Sequence, residues 1–190
     1  MKKIILLTCL TGALMAESSF YVGLDVGKAD NTDKITSKSG TNTATIKNDN
    51  TYSDLKIKLG IEADVGTDFQ LNFSKITYDN GVFYNTTGTK LYEIGLDIIK
   101  KFELTSSFSP FIKLGVGYGY MDSQFPAYGD VNEFSTNFGV GLSYKVIEHI
   151  YALAGVDYIY RHWSNTTDND FTFETRGSAI KPYIGLNYKF

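Results

Sequence analysis

Apolar and polar residues alternate one by one along eight separate stretches of the chain. The cleanest sets Leu55, Ile57, Leu59, Ile61, Ala63 and Val65 against Asp54, Lys56, Lys58, Gly60, Glu62 and Asp64. A period of two puts each series on its own face of a β-strand. The first stretch, Phe20 to Lys28, sets Phe20, Val22, Leu24 and Val26 against Tyr21, Gly23, Asp25 and Gly27. Phe69, Leu71 and Phe73 make a third strand, and its alternation blurs from Lys75 to Tyr78, which predicts a bulge or the edge of the apolar zone. Tyr92–Ile98, Ile112–Tyr120, Asn137–Lys145 and Ala152–Arg161 repeat the pattern, although Leu153 and Ile159 fall on the polar face of the last of these. The final stretch, Ile180 to Phe190, alternates throughout. It matches the ~9–11 residues that a tilted strand needs to cross a bilayer.

The connections alternate in character. Ala29–Asn50 and Trp163–Ser178 are polar and long enough to read as exposed loops. Asp79–Gly88, with its Asp79-Asn80-Gly81, and Asp122–Asn132, with Pro126 and Gly129, are shorter polar loops. Gly66-Thr67-Asp68, Lys100–Pro110 and Glu148-His149 read as turns. Brief turns at one end and longer loops at the other describe an up-and-down barrel.

Alternation does not say which face is buried, because a soluble lipocalin-like barrel alternates too. The polar face decides it. There glycine mixes with charge: Gly60 with Glu62, Gly95 with Asp97, Gly155 with Asp157. Glycines on a solvent face would weaken strands with no packing return. Inside a narrow barrel they relieve crowding while long charged side chains fill the space. Parity turns Asp25, Glu62, Glu93, Asp97 and Asp157 inward, against Lys56, Lys58, Lys113, Lys145, Arg161 and Lys181. Near balance is what a lumen needs, since an unpaired buried charge is costly. Lys181 has Asp25 and Asp157 on its two neighbouring strands as expected counter-charges. Tyr118, Tyr120, Tyr158, Tyr160, Tyr188 and Phe190 fall near strand ends, as interfacial girdles do.

Composition adds location. Met1-Lys2-Lys3, a short apolar run and Ala16 describe a secretory leader cut after Ala16, leaving 17–190 as one domain. The apolar run is too short for a membrane helix, and Thr8 before Cys9 speaks against a lipoprotein signal. Without that leader the chain has no cysteine, and 16 basic residues stand against 21 acidic ones, a formal net charge of −5. That sign argues against nucleic acid as a partner.

The last strand, alternating and ending on Phe190, resembles the terminal strand of bacterial outer-membrane β-barrels, which the assembly machinery reads. The eight strands together resemble the family that includes the OmpA transmembrane domain and OmpX. The resemblance implies an all-β fold, an eight-stranded antiparallel up-and-down transmembrane β-barrel. It also implies residence in the outer membrane of a Gram-negative bacterium. The implied partners are outer-membrane lipid and lipopolysaccharide, the assembly machinery through the strand ending at Phe190, and an extracellular ligand of the loops. No counterpart of OmpA's peptidoglycan-binding domain follows the last strand, so cell-wall tethering is not implied.

Little else carries chemistry. Two histidines, His149 and His162, make no metal set, and no cofactor fingerprint appears. One motif stands out. Arg161-His162-Trp163-Ser164-Asn165 resembles the active-site segment of PagL-family lipid A deacylases, which are also eight-stranded barrels. The resemblance implies His162 as base, Ser164 as nucleophile, Asn165 on the oxyanion and Glu174 as the third member. Thr166 stands where that family has glycine. A His and a Trp near the membrane edge also account for themselves as girdle residues. The expectation is therefore a non-enzymatic barrel with a packed lumen, with no catalytic, metal or cofactor site. Such a barrel acts through its external loops in adhesion, surface interaction or envelope integrity. The deacylase and a soluble lipocalin-like binder are the alternatives.

Overall fold

The computed structural model describes residues 19–63, 66–80, 82, 88–122, 130–168 and 171–190. The leader, Asp64, Val65, Gly81, Pro126 and Gly129 lie outside these. Nine strands follow in order: β1 (Ser19–Ser39), β2 (Asn42–Ala63), β3 (Thr67–Tyr78), β4 (Lys90–Lys101), β5 (Phe108–Asp122), β6 (Asp130–Ile147), β7 (Ile150–Trp163), β8 (Thr166–Asp168) and β9 (Phe171–Lys189). Each of β1 to β6 pairs antiparallel with the next, β7 pairs with β9, and β9 returns to β1. Eight strands close a ring, and β8 is a short flap on β9.

The barrel is inside out relative to a soluble protein. Leu96 is 60% exposed, whereas its neighbour Asp97 is 2% exposed. The same inversion runs around the ring. Leu24, Ile57, Ile94, Leu114, Val140, Tyr158 and Leu186 face out; Lys58, Lys113, Asp157 and Lys181 are buried. Only a lipid surround makes that arrangement favourable, so the lipocalin-like alternative fails.

The inward glycines serve neighbouring rings. A Cβ at Gly155 would come within 2.7 Å of the Tyr183 ring, and Gly60 makes the same room for Tyr21. The terminal strand is tied at both ends of its last turn of pleat. Lys189 N donates to His149 O at 2.8 Å and Phe190 N donates to Phe20 O at 2.9 Å. On the closing seam, Gly27 pairs with Tyr183 and Asp30 with Ile180, with no pairs recorded at Lys28 and Ala29. Pro182 sits in that gap and has no amide proton to offer.

Three expectations about the strands are corrected. The polar run Ala29–Asn50 is a continuation of β1 and β2, paired residue for residue from Ser19↔Glu62 up to Ser39↔Asn42. Gly40 turns the tip with φ +55°. The run lacks alternation because both its faces leave the lipid, so backbone pairing persists where the hydrophobic pattern stops. Within Trp163–Ser178, Thr166–Asp168 form β8 and the chain from Phe171 is the upper part of β9, where Lys34↔Arg176 and Lys38↔Thr172 join β9 to β1. There is no bulge at Lys75–Tyr78, where β3 pairs regularly with β2 from Leu55↔Lys75 to Tyr52↔Tyr78. The alternation blurs there because Ile76 and Tyr78 are apolar residues facing inward.

Candidate functional site above and within the barrel

Two apolar layers bracket the charged lumen. At the extracellular end Ala29, Tyr52, Ile76, Tyr78, Leu91, Met121, Val131, Ile159, Trp163 and Ala179 pack together, with Val82. Towards the periplasmic end Ile99, Phe111, Leu153 and Tyr183 form a second layer. These layers explain Leu153 and Ile159, which blur the parity of β7. They also correct the girdle reading of Trp163, whose side chain is fully buried inside the barrel rather than at the lipid interface.

Between the layers the charges pair. Lys58 bonds Asp25, and Lys181 bonds Asp54 while lying 3.8 Å from Asp157. Lys113 bonds Asp157 at 2.8 Å, and Lys56 lies 3.9 Å from Asp97. Gln70, Asn72 and Asn137 each donate to Asp97. Asp157 is thus a counter-charge of Lys181, as expected, but Asp25 is not: Lys58 takes it, and Asp54 on β2 reaches Lys181 instead. Higher up, Arg161 lies 3.5 Å from Glu133 and 3.8 Å from Glu93, and donates to the Tyr52 hydroxyl at 3.0 Å. At the periplasmic rim Lys101 meets Glu62 and Asp68, and Lys189 meets Glu62. Lys145 points the same way but is half-exposed. Parity in the sequence finds five of the acids; Asp33 and Asp68 lie in stretches read as loop or turn, and Glu133 lies just before the strand read from Asn137. Asp54 is on the polar face of β2 and was available to the same reasoning.

These buried side chains occupy the barrel interior, as side chains do in small barrels of this strand number. The parts free to meet other molecules stand above the membrane. β2, β1 and β9 rise together past the apolar band as a three-stranded sheet. β3 covers the outer edge of β2 only as far as Tyr52↔Tyr78. Thr51 O accepts from Asp79 N at 2.9 Å, so the amide and carbonyl of Thr51 point away from β1. By the alternation of an antiparallel ladder, Asp49, Lys47, Thr45 and Thr43 point theirs the same way. Among the described residues no strand pairs with this edge.

Surface charges on the sheet are locally held. Lys38 bonds Glu174 at 2.6 Å, and this keeps the Glu174 carboxyl below its ordinary range. Asp79 is lowered by the Thr51 hydroxyl and then by Lys28. Asp33 goes the other way: burial pushes it up to about 7, with the Asn31 amide and Arg161 only partly offsetting this.

The residues of the deacylase motif also lie at this level. His162 and Ser164 are exposed on the outward face, and His162 pairs in register with Arg176 of β9. Ser164 Oγ accepts from Asn132 N at 3.1 Å. Glu174 is engaged by Lys38, and among the described residues no hydrogen bond joins His162 to Ser164. Nor does any group of three or more His, Cys, Asp or Glu among the described residues form a metal cluster.

A closed ring of eight strands with an apolar exterior and a charged, filled interior defines a transmembrane β-barrel. The chain matches the family described as the outer membrane protein beta-barrel domain over residues 4–190, and it belongs to that family. Its fold is shared with solved structures of low identity. Neisserial surface protein A is 19% identical, with 92% of this chain and 99% of that one covered, at a TM-score of 0.57. The N-terminal barrel of Pseudomonas aeruginosa OprF is 13% identical over 85% and 97%, at 0.53. OprG from Pseudomonas aeruginosa is 15% identical over 91% and 96%, at 0.55. No curated protein matches the chain. The protein is an outer-membrane β-barrel of a Gram-negative bacterium.

Proposed function

We propose that this protein is a non-enzymatic surface protein whose work is done by the sheet that β2, β1 and β9 raise above the membrane. The barrel anchors the sheet and conducts no solute at porin rates. The observation that carries the reading is the edge of β2 at Thr43, Thr45, Lys47 and Asp49, with which no described strand pairs. Four successive outward-pointing residues can pair with an extended segment of a partner protein, a recognition mode in which backbone bonds give affinity. Lys47 on that edge discourages indiscriminate strand pairing. Outer-membrane lipid and lipopolysaccharide surround the apolar band, and the strand ending at Phe190 addresses the chain to the assembly machinery.

The test compares cells displaying equal amounts of three proteins: wild type, a form with residues 35–46 replaced by Asn-Gly, and Thr45→Pro. Attachment to immobilised proteins and cell–cell aggregation are scored. Loss of attachment in both variants is the expected result. Attachment equal to wild type in both removes the sheet from the function.

The lipid A deacylase is the second reading, favoured by one observation: His162 and Ser164 share the outward face at the lipid rim. Mass spectrometry of lipid A from cells with wild type, His162→Ala or Ser164→Ala decides it. Our reading predicts identical acyl patterns; an acyl chain lost only with wild type would establish the enzyme.

A further inference from the structure

The inward charges of the described residues do not balance evenly along the barrel. In the middle, Asp25, Asp54, Asp97 and Asp157 face Lys56, Lys58, Lys113 and Lys181. At the periplasmic rim Glu62 and Asp68 face Lys101 and Lys189. At the extracellular end Asp33, Glu93 and Glu133 share Arg161 alone, and Arg161 is engaged by the two glutamates and Tyr52. Residues 81–87 and 123–129 contain no Lys or Arg that could add a cation there.

Asp33 is where this excess is least answered. It is 1% exposed and makes no ion pair with any described base. Its Oδ2 accepts from Asn31 Nδ2 at 2.7 Å. That bond fixes the Asn31 amide, so Asn31 Oδ1 cannot be the donor end. Asn31 Oδ1, Asp33 Oδ1 and the hydroxyl of Thr175 are all buried and have no hydrogen-bond partner. The first two converge across the backbone of Gly177. A Cβ there would collide with Asp33 Oδ1 and lie 3.4 Å from Asn31 Oδ1. Gly177 pairs with Asp33, and Thr175 pairs with Ile35, one step further along the same face. A carboxylate and an amide oxygen turned to one small space, with a buried, unpartnered hydroxyl one step along the same face, make a set of hard oxygen ligands. Buried and unanswered, each would cost free energy.

We propose that Asp33 Oδ1, Asn31 Oδ1 and Thr175 Oγ1 bind one calcium ion on the inner face of the protruding sheet, over Gly177. The ion joins β1 to β9 above the membrane, where the pair is not supported by lipid. A divalent charge also offsets the surplus of acidic over basic groups at this end. With a single carboxylate the site belongs to the weaker class of extracellular calcium sites, with a dissociation constant of about 0.1–1 mM.

The test uses the refolded protein in detergent, stripped of metal, with radioactive calcium in equilibrium dialysis. Heat-modifiable migration reports that each variant is folded. Wild type is expected to take up one ion per chain. Asp33→Asn removes the charge without changing shape, and Gly177→Ala fills the space; each is expected to weaken binding by about tenfold or more. Asp49→Asn, an exposed acid on the same hairpin, should bind as wild type does. Trp163, the only tryptophan and buried at this end, gives a second readout through a calcium-dependent change in emission. No uptake by wild type at up to about 10 mM calcium overturns the proposal. So does equal uptake by Asp33→Asn and Gly177→Ala, which would mark surface acids as the binders.

Discussion

The lower and upper halves of the β1–β2 hairpin use one continuous ladder in two surroundings. From Phe20↔Ile61 to Val26↔Leu55 the outward residues are apolar and the inward ones charged. From Asp30↔Thr51 to Ser39↔Asn42 the pairing continues unbroken, yet Thr, Asn, Asp, Ser and Lys occupy both faces. The lower half is held by lipid outside and ion pairs inside. The upper half is held by backbone bonds and by exposed contacts such as Thr32 Oγ1 to Asp49 at 2.8 Å. Fold stability therefore resides below, and freedom to vary and to bind resides above.

The largest break in this comparison should come from the lumen. Lys181→Ala leaves Asp54 and Asp157 facing each other without their shared cation. Removing one partner of a buried ion pair costs about 3–5 kcal/mol. Urea unfolding in lipid vesicles should show a loss of that size. A loss under about 1 kcal/mol would mean that water or protons compensate the network.

The next effect contrasts the halves on a single strand. Leu59→Arg places a cation on the lipid face near mid-barrel and should cost about 2–4 kcal/mol. Ile46→Arg, on the same strand above the membrane, should stay within about 0.5 kcal/mol. Equal costs would show that the apolar band extends higher than the structure places it. Gly60→Ala should cost about 1–3 kcal/mol through overpacking against the Tyr21 ring, with much of this recovered in a Tyr21→Leu background. The smallest effect is expected from replacing residues 35–46 by Asn-Gly. That removes the exposed Lys38–Glu174 pair, worth about 0–1 kcal/mol, and should leave the barrel's midpoint almost unchanged.

The same contrast explains what could be read from the sequence. Residues 54–63 declare their strand because water-avoiding and charged side chains must take opposite faces. Residues 29–50 carry no such demand, so a paired strand and a loop look alike there; the Thr content was the only hint. Apolar residues turned inward, such as Ile76, Ile159 and Trp163, broke the parity for the opposite reason: they cap the charged lumen. The inward ion partners were legible as a set but not as pairs, because stagger between strands decides that Lys181 meets Asp54 rather than Asp25. The outward placement of His162 and Ser164 followed from parity alone. That Lys38 engages Glu174 did not, because residues 174 and 38 meet only through the raised sheet.

Amide hydrogen exchange by NMR in lipid nanodiscs shows whether β2 continues above the membrane as a strand paired with β1 on one side and open on the other. Amides of Ala44, Ile46 and Asn48, bonded to β1, should exchange slowly, while those of Thr43, Thr45, Lys47 and Asp49 exchange fast. Residues 55–62 should all be protected. Uniformly fast exchange from Thr43 to Asp49 would restore the loop, and uniform protection there would show that the edge is already covered; either would contradict the account.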